Sequence, residues 1–103
     1  MTESELQDDI IKAAHLFGWR VAHFRPALTA KGWRTPVSAD GKGFPDLVLL
    51  RREQCLVVEL KGDNGRLAPE QDDWLRAFIA AGINAAIWTP KDWTTGLIER
   101  VLR

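Results

Sequence analysis

The sequence predicts an α/β fold: a mixed four-stranded sheet flanked by helices, in the order α-β-β-β-α-β with a further C-terminal helix. Three observations predict it. Apolar residues recur at spacings of three and four near the N-terminus, which makes one buried helix face. Short apolar runs bounded by turn residues follow, two of them joined by a polar connection. A proline-led helical segment then precedes the last apolar run, and such a crossover allows a parallel strand. A length of 103 residues fits one domain over 1–103.

Residues 3–17 read as the first helix, with Leu6, Ile10, Ala13, Ala14 and Phe17 in one stripe. Thr2 suits the N-cap and Gly18 the C′ position. Trp19 to Phe24 reads as a strand, with Trp19, Val21 and His23 on one face and Arg20, Ala22 and Phe24 on the other. Residues 25–45 hold Pro26, Gly32, Pro36, Gly41 and Gly43 without periodicity and read as a long loop, usually a functional feature in a small domain. Asp46 to Leu50 and Cys55 to Leu60 form a hairpin around residues 51–54. A turn centred on Glu53 would set Asp46 opposite Leu60, within one residue of Glu59 and Lys61. Residues 62–68 are a loop. Pro69 opens a helix to about Ala81, stopped by Gly82. Ile83 to Trp88 is the last strand, and Pro90 and Asp92 open a helix to about Leu102, weakened by Gly96.

Composition narrows the class. With 46% hydrophobic and 27% charged residues, disorder, collagen and coiled coil are excluded. No apolar stretch approaches the roughly 20 residues a membrane span needs. The acidic start, Thr2-Glu3-Ser4-Glu5, is unlike a signal peptide. Cys55 alone makes neither an internal disulfide nor a zinc site, so a reducing, cytoplasmic setting is expected. Zero net charge excludes a polybasic binder, yet the charge is uneven. Glu3, Glu5, Asp8 and Asp9 crowd the N-terminus. Arg20, Arg25, Lys31, Arg34 and Lys42 stand against Asp40 alone. A basic arm beside acidic residues suits a protein that holds both a phosphate backbone and a metal ion; an ordinary solvated loop would show the same pattern. Trp33, between Lys31 and Arg34, can stack on an exposed base, cover the sheet, or bury itself in a partner subunit.

The chemistry concentrates in Gly43-Phe44-Pro45-Asp46 and in Glu59-Leu60-Lys61. Asp46 opens an apolar strand. Glu59 interrupts another, where a carboxylate is costly unless paired. Glu59 and Lys61, two apart, share a strand face. Neighbouring carboxylates repel, and a hard divalent ion such as Mg²⁺ or Mn²⁺ relieves that repulsion, with the Leu60 carbonyl as a further oxygen ligand. Lys61 beside such an ion can orient or deprotonate a water and stabilise charge on a phosphate. The plainer alternative is a buried ion pair of Lys61 with Glu59 or Asp46. Gln71 shares its helix face with Leu75 and Phe78, so it points at the sheet near the helix start, as a site residue, a satisfied core glutamine or a cap. His15 reads as surface or packing, His23 as a strand histidine able to approach the site, and Cys55 as a small buried residue. Trp19, Trp74 and Trp88 read as core.

Gly-Phe-Pro-Asp-Leu-Val-Leu, Val-Val-Glu-Leu-Lys-Gly, and Gly65 to Gln71 with Trp74-Leu75 resemble the VRR-NUC family of the PD-(D/E)XK nuclease superfamily, including its small stand-alone bacterial and phage members. The resemblance runs from the first helix to the last strand. It implies a restriction-endonuclease-like core, with Asp46 and Glu59 as metal ligands, Leu60 as a carbonyl ligand, Lys61 as the catalytic lysine and Gln71 as an active-site residue. It also implies Mg²⁺ or Mn²⁺, a homodimer in a bacterial or phage-infected cell, and branched, flapped or distorted DNA as substrate. An acidic ligand is expected from the first helix. Glu3 shares the apolar stripe while Glu5 lies on the polar face, so Glu3 is preferred. Arg25, Lys31, Arg34 and Lys42 are then expected on DNA phosphates, with Trp33 beside them. The competing function is a non-cleaving DNA-binding or assembly module that keeps the fold; a nuclease acting on RNA is a third.

Overall fold

The computed structural model describes residues 1–24, 27–30, 32–34 and 37–103, the backbone alone at 27–29, 33 and 34. Helix α1 covers Glu3–Leu16. Thr2 caps it: its hydroxyl accepts from the Glu5 N–H at 3.1 Å, and the Glu5 carboxylate accepts from the Thr2 N–H at 3.1 Å. Those two bonds hold the Glu5 carboxyl below its ordinary range. Of the predicted stripe, Leu6, Ile10 and Ala14 are fully buried, and Ala13 and Phe17 pack at its edge.

Among the described residues six strands follow: β1 (Arg20–His23), β2 (Ala27–Thr29), β3 (Gly32–Arg34), β4 (Leu47–Arg51), β5 (Gln54–Leu60) and β6 (Asn84–Trp88). Four build the main sheet in the order β1-β4-β5-β6. The pairs β1–β4 and β4–β5 are antiparallel, and β5–β6 is parallel across the crossover helix α2 (Pro69–Ala80). The fold is therefore the expected α/β architecture with a mixed four-stranded sheet, consistent with a restriction-endonuclease-like core.

Three details differ from the sequence reading. The segment read as one long loop contains a small hairpin, β2–β3, with Leu28 opposite Trp33. Strands of three residues are too short to show a hydrophobic period. The β4–β5 turn holds two residues, with Arg52 in the left-handed region at φ +55°, so Leu47 pairs with Val58. Extending that register sets Asp46 level with Glu59, one residue from its expected partner Leu60. The final helix is two helices, α3 (Pro90–Thr94) and α4 (Leu97–Leu102), because Gly96 adopts φ +82° and ends the first.

One sheet face carries Leu47, Leu49, Leu56, Val58, Leu60 and Trp88, packed on Leu6, Ile10 and Ala14 of α1 and on Ile98 and Leu102 of α4. The opposite face carries Val57 and Glu59, with Leu75 of α2 over it. Trp19 closes the far end: its indole donates to the Leu102 carbonyl at 2.8 Å, and the Arg51 guanidinium lies 4.4 Å from the ring centroid. Among the described residues no helix is long and apolar enough to cross a membrane.

Candidate active site

Asp46 immediately precedes β4, and Glu59 lies near the end of β5. The extended register puts them level on neighbouring strands, at the sheet end where α2 begins. The Asp46 carboxylate accepts from the Leu60 N–H at 2.7 Å, so one oxygen is spent on the backbone beside Glu59. Glu59 is 3% exposed, a carboxyl inside an otherwise apolar strand. Its Oε1 accepts from the Gln71 side-chain amide at 3.0 Å and lies 3.9 Å from the Lys61 ammonium. Its Oε2 is buried without a hydrogen-bond partner among the described residues.

Burial pushes the Glu59 carboxyl up to about 8; the Asp46 charge adds to this, Lys61 opposes it, and Glu3 contributes slightly. The orphaned Oε2 and the raised pKa have one physical cause: a charged group folded into an apolar strand with half of its acceptors unmet.

Gln71 has two tasks. Pro69 starts α2, and the N-cap is Ala68, whose side chain cannot cap. The Gln71 carbonyl oxygen accepts the Ala68 N–H at 2.9 Å, while its amide donates to Glu59. Gln71 is therefore the helix cap and at the same time the donor to the Glu59 carboxyl. Lys61 follows directly on β5, and its N–H bonds to the Trp88 carbonyl at 3.0 Å, which holds the backbone while the side chain turns to Glu59.

Glu3 lines a cleft of about 550 Å³ together with Gln7, His23, Asp46 and Leu60. Glu5 is spent on the cap, so Glu3 is the first-turn acid that faces the cleft. Gln7 and His23 meet across it at 3.3 Å. Gln7 carries no sequence signal beyond its place one turn after Glu3. Asp46, Glu59, Lys61 and Gln71 are brought together directly, with Glu3 across the cleft. Among the described residues no three His, Cys, Asp or Glu side chains gather as a ready ligand set. A second cleft, about 620 Å³, opens at the far end of the sheet beside Arg51, Arg52 and Arg103 and holds no candidate residue.

The expected DNA-contacting residues divide. Lys42 is exposed and pairs with Glu70 at 3.4 Å. Trp33 and Arg34 lie on β3, and Arg25 and Lys31 fall outside the described residues. Trp74, expected in the core, is only half-buried: its indole N–H is shared between the Asp40 and Lys42 carbonyls, each at 3.1 Å. His15 is exposed and Cys55 half-buried.

An aspartate just before β4, a glutamate on β5, a lysine two residues on, and a glutamine on the crossover helix form the arrangement expected of a nuclease-type domain. The VRR-NUC domain family matches residues 3–91, and the chain belongs to it. No curated protein and no solved structure matches the chain.

Proposed function

We propose that this nuclease domain is a Mg²⁺- or Mn²⁺-dependent DNA endonuclease that hydrolyses phosphodiester bonds in branched, flapped or distorted DNA, acting as a homodimer. The observation that carries this reading is the buried Glu59 carboxyl beside Asp46, gripped at one oxygen by Gln71 and unpartnered at the other among the described residues. That unmet acceptor fits a cation. Asp46, Glu59 and the Leu60 carbonyl would hold it, with Glu3 completing the set from α1; hard oxygens of this kind suit Mg²⁺ or Mn²⁺. The ion, when bound, supplies Lewis-acid activation of water and neutralisation of charge on the phosphodiester.

The remaining work falls to side chains. Gln71 fixes the rotation of the Glu59 carboxyl, so Oε2 keeps one direction. Lys61 shares Oε1 at 3.9 Å and has N–H donors left to orient the attacking water or take up charge developing on a phosphate oxygen. Arg25, Lys31, Arg34 and Lys42 would contact backbone phosphates, and Trp33 a base or the partner subunit. A domain of this size has little surface with which to grip a junction, which favours two copies.

The test is a cleavage panel of single-stranded, duplex, flap and four-way DNA, each with Mg²⁺, Mn²⁺ or EDTA. Cleavage with metal and none with EDTA is expected. Binding without cleavage under every condition would favour a non-cleaving DNA-binding module.

A further inference from the structure

Gly43 sits where two parts of the site touch. It adopts φ +83°, and a Cβ built there would lie 2.6 Å from the Glu70 carbonyl carbon and 2.8 Å from the Gln71 backbone nitrogen. No side chain fits between this loop and the first turn of α2. Three residues later the same loop delivers Asp46. One residue into the helix contact is Gln71, which holds Glu59. The loop before β4 and the start of α2 therefore meet at van der Waals distance, directly behind the carboxyl pair.

Trp74 fastens the same contact from one turn further along α2. Its indole N–H is shared between the Asp40 and Lys42 carbonyls at 3.1 Å. Its ring meets Phe44 edge-on at 5.1 Å and lies 5.8 Å from Phe78; Phe44 in turn meets Phe24 at 5.0 Å. Ala39, beside Asp40, is held at φ +58°, a left-handed conformation an alanine rarely adopts. The Lys42–Glu70 ion pair spans the same seam but is largely solvated and adds little.

These contacts close a ring: the loop carries Asp46, Asp46 binds the Leu60 N–H, Glu59 binds Gln71, and Gln71 rides on the helix that Trp74 and Gly43 hold against the loop. We propose that Trp74 is a positioning residue, which through its indole N–H, and alongside the close approach of Gly43 to Glu70 and Gln71, sets the register of Gln71 against Glu59 and Asp46. This rests on the endonuclease reading for its kinetic readout, but not for its geometric one. Trp74 touches neither Glu59 nor Asp46 in any described hydrogen bond; it acts through the backbone at both ends of the ring.

The test is Trp74→Phe, which keeps an aromatic ring against Phe44 and Phe78 but removes the N–H donor together with part of the indole ring. Two measurements are made. The first is exchange of the Gln71 side-chain amide protons by NMR, expected to speed up about tenfold in the variant as the bond to Glu59 loosens. The second is DNA cleavage in wild-type and Gln71→Ala backgrounds. Trp74→Phe should lower kcat about tenfold in the wild type with DNA affinity within about twofold. In the Gln71→Ala background the same change should cost less than about twofold, because the group it positions is gone. Gly43→Ala, which strains the same seam, should lower kcat at least as far. Unchanged amide exchange in Trp74→Phe overturns the proposal, and so does an equal kcat loss in both backgrounds. If wild-type protein cleaves no DNA, the endonuclease reading fails, and the exchange measurement alone decides the role of Trp74.

Discussion

Glu59→Gln, studied without metal, isolates the electrostatic cost built into the site. The ordinary glutamate pKa is 4.5, and the folded chain raises it to about 8. A carboxyl raised on folding stabilises the native state fully below pH 4.5. That stability is lost as pH rises through 8, because the folded form resists the charge that the unfolded chain accepts. Each pH unit between the two values removes about 1.4 kcal/mol, so the full loss is on the order of 5 kcal/mol. Relaxation and water entry would reduce this to a few kcal/mol. For a domain of this length that is a fall in Tm of roughly 10 °C or more. Glutamine has the same shape and does not titrate, so Glu59→Gln should escape the loss. The assay is thermal unfolding in EDTA from pH 5 to pH 8.5, followed by circular dichroism, for both proteins. The two Tm profiles should lie close together near pH 5 and diverge towards pH 8.5, with the variant higher. Other carboxyls cancel in the comparison: Glu5 and Glu70 are both shifted downward, which places their effect below pH 4.5. Parallel profiles across the whole range would refute the reasoning.

Further outcomes rest on the same geometry. Gln71→Ala removes the acceptor for the Ala68 N–H and the donor to Glu59; it should cost about 1 kcal/mol of stability, near the value of a helix cap, and lower cleavage by a larger factor. Chemical denaturation beside single-turnover cleavage checks it, and a variant that is much less stable yet cleaves normally would make Gln71 a structural cap. Arg52→Gly relieves a left-handed backbone at the β4–β5 turn and should raise stability by about 0.5 kcal/mol in a urea titration, leaving cleavage unchanged. Lys31→Ala with Arg34→Ala should weaken DNA binding and lower the log–log salt slope by roughly one for each phosphate left without its cation. An unchanged slope in that double variant would mean the DNA follows another path.

The carboxyl pair is legible in the sequence because its signal is a violation. Asp46 and Glu59 break apolar strands, and the hairpin between them brings them close whichever register is assumed. The register itself differs by one residue from the sequence expectation, since a two-residue turn with Arg52 at positive φ carries no glycine or asparagine to announce it. Glu3 is preferred over Glu5 by helix phase, and the cap formed by Glu5 gives the physical reason. Gln71 is legible by its apolar neighbours at one and two turns. The β2–β3 hairpin is not, because pairing of three-residue strands rests on turn chemistry rather than on a pattern. Trp74 reads as core from its residue type and helix position. Its hydrogen bonds to the Asp40 and Lys42 carbonyls join residues more than thirty positions apart, and no local spacing encodes them.

The central claim is that Asp46 and Glu59 jointly hold the ion with which this domain cuts DNA. Single-turnover cleavage of a flap or four-way DNA with Mg²⁺ or Mn²⁺ tests it most directly, comparing wild type with Asp46→Asn and Glu59→Gln. Both substitutions keep shape and remove charge, so each variant should fold, with Glu59→Gln melting no lower than wild type in EDTA at pH 8, and each should lose cleavage by about 10³-fold or more. Cleavage at the wild-type rate by either folded variant, or wild-type cleavage that persists in EDTA, would contradict the account.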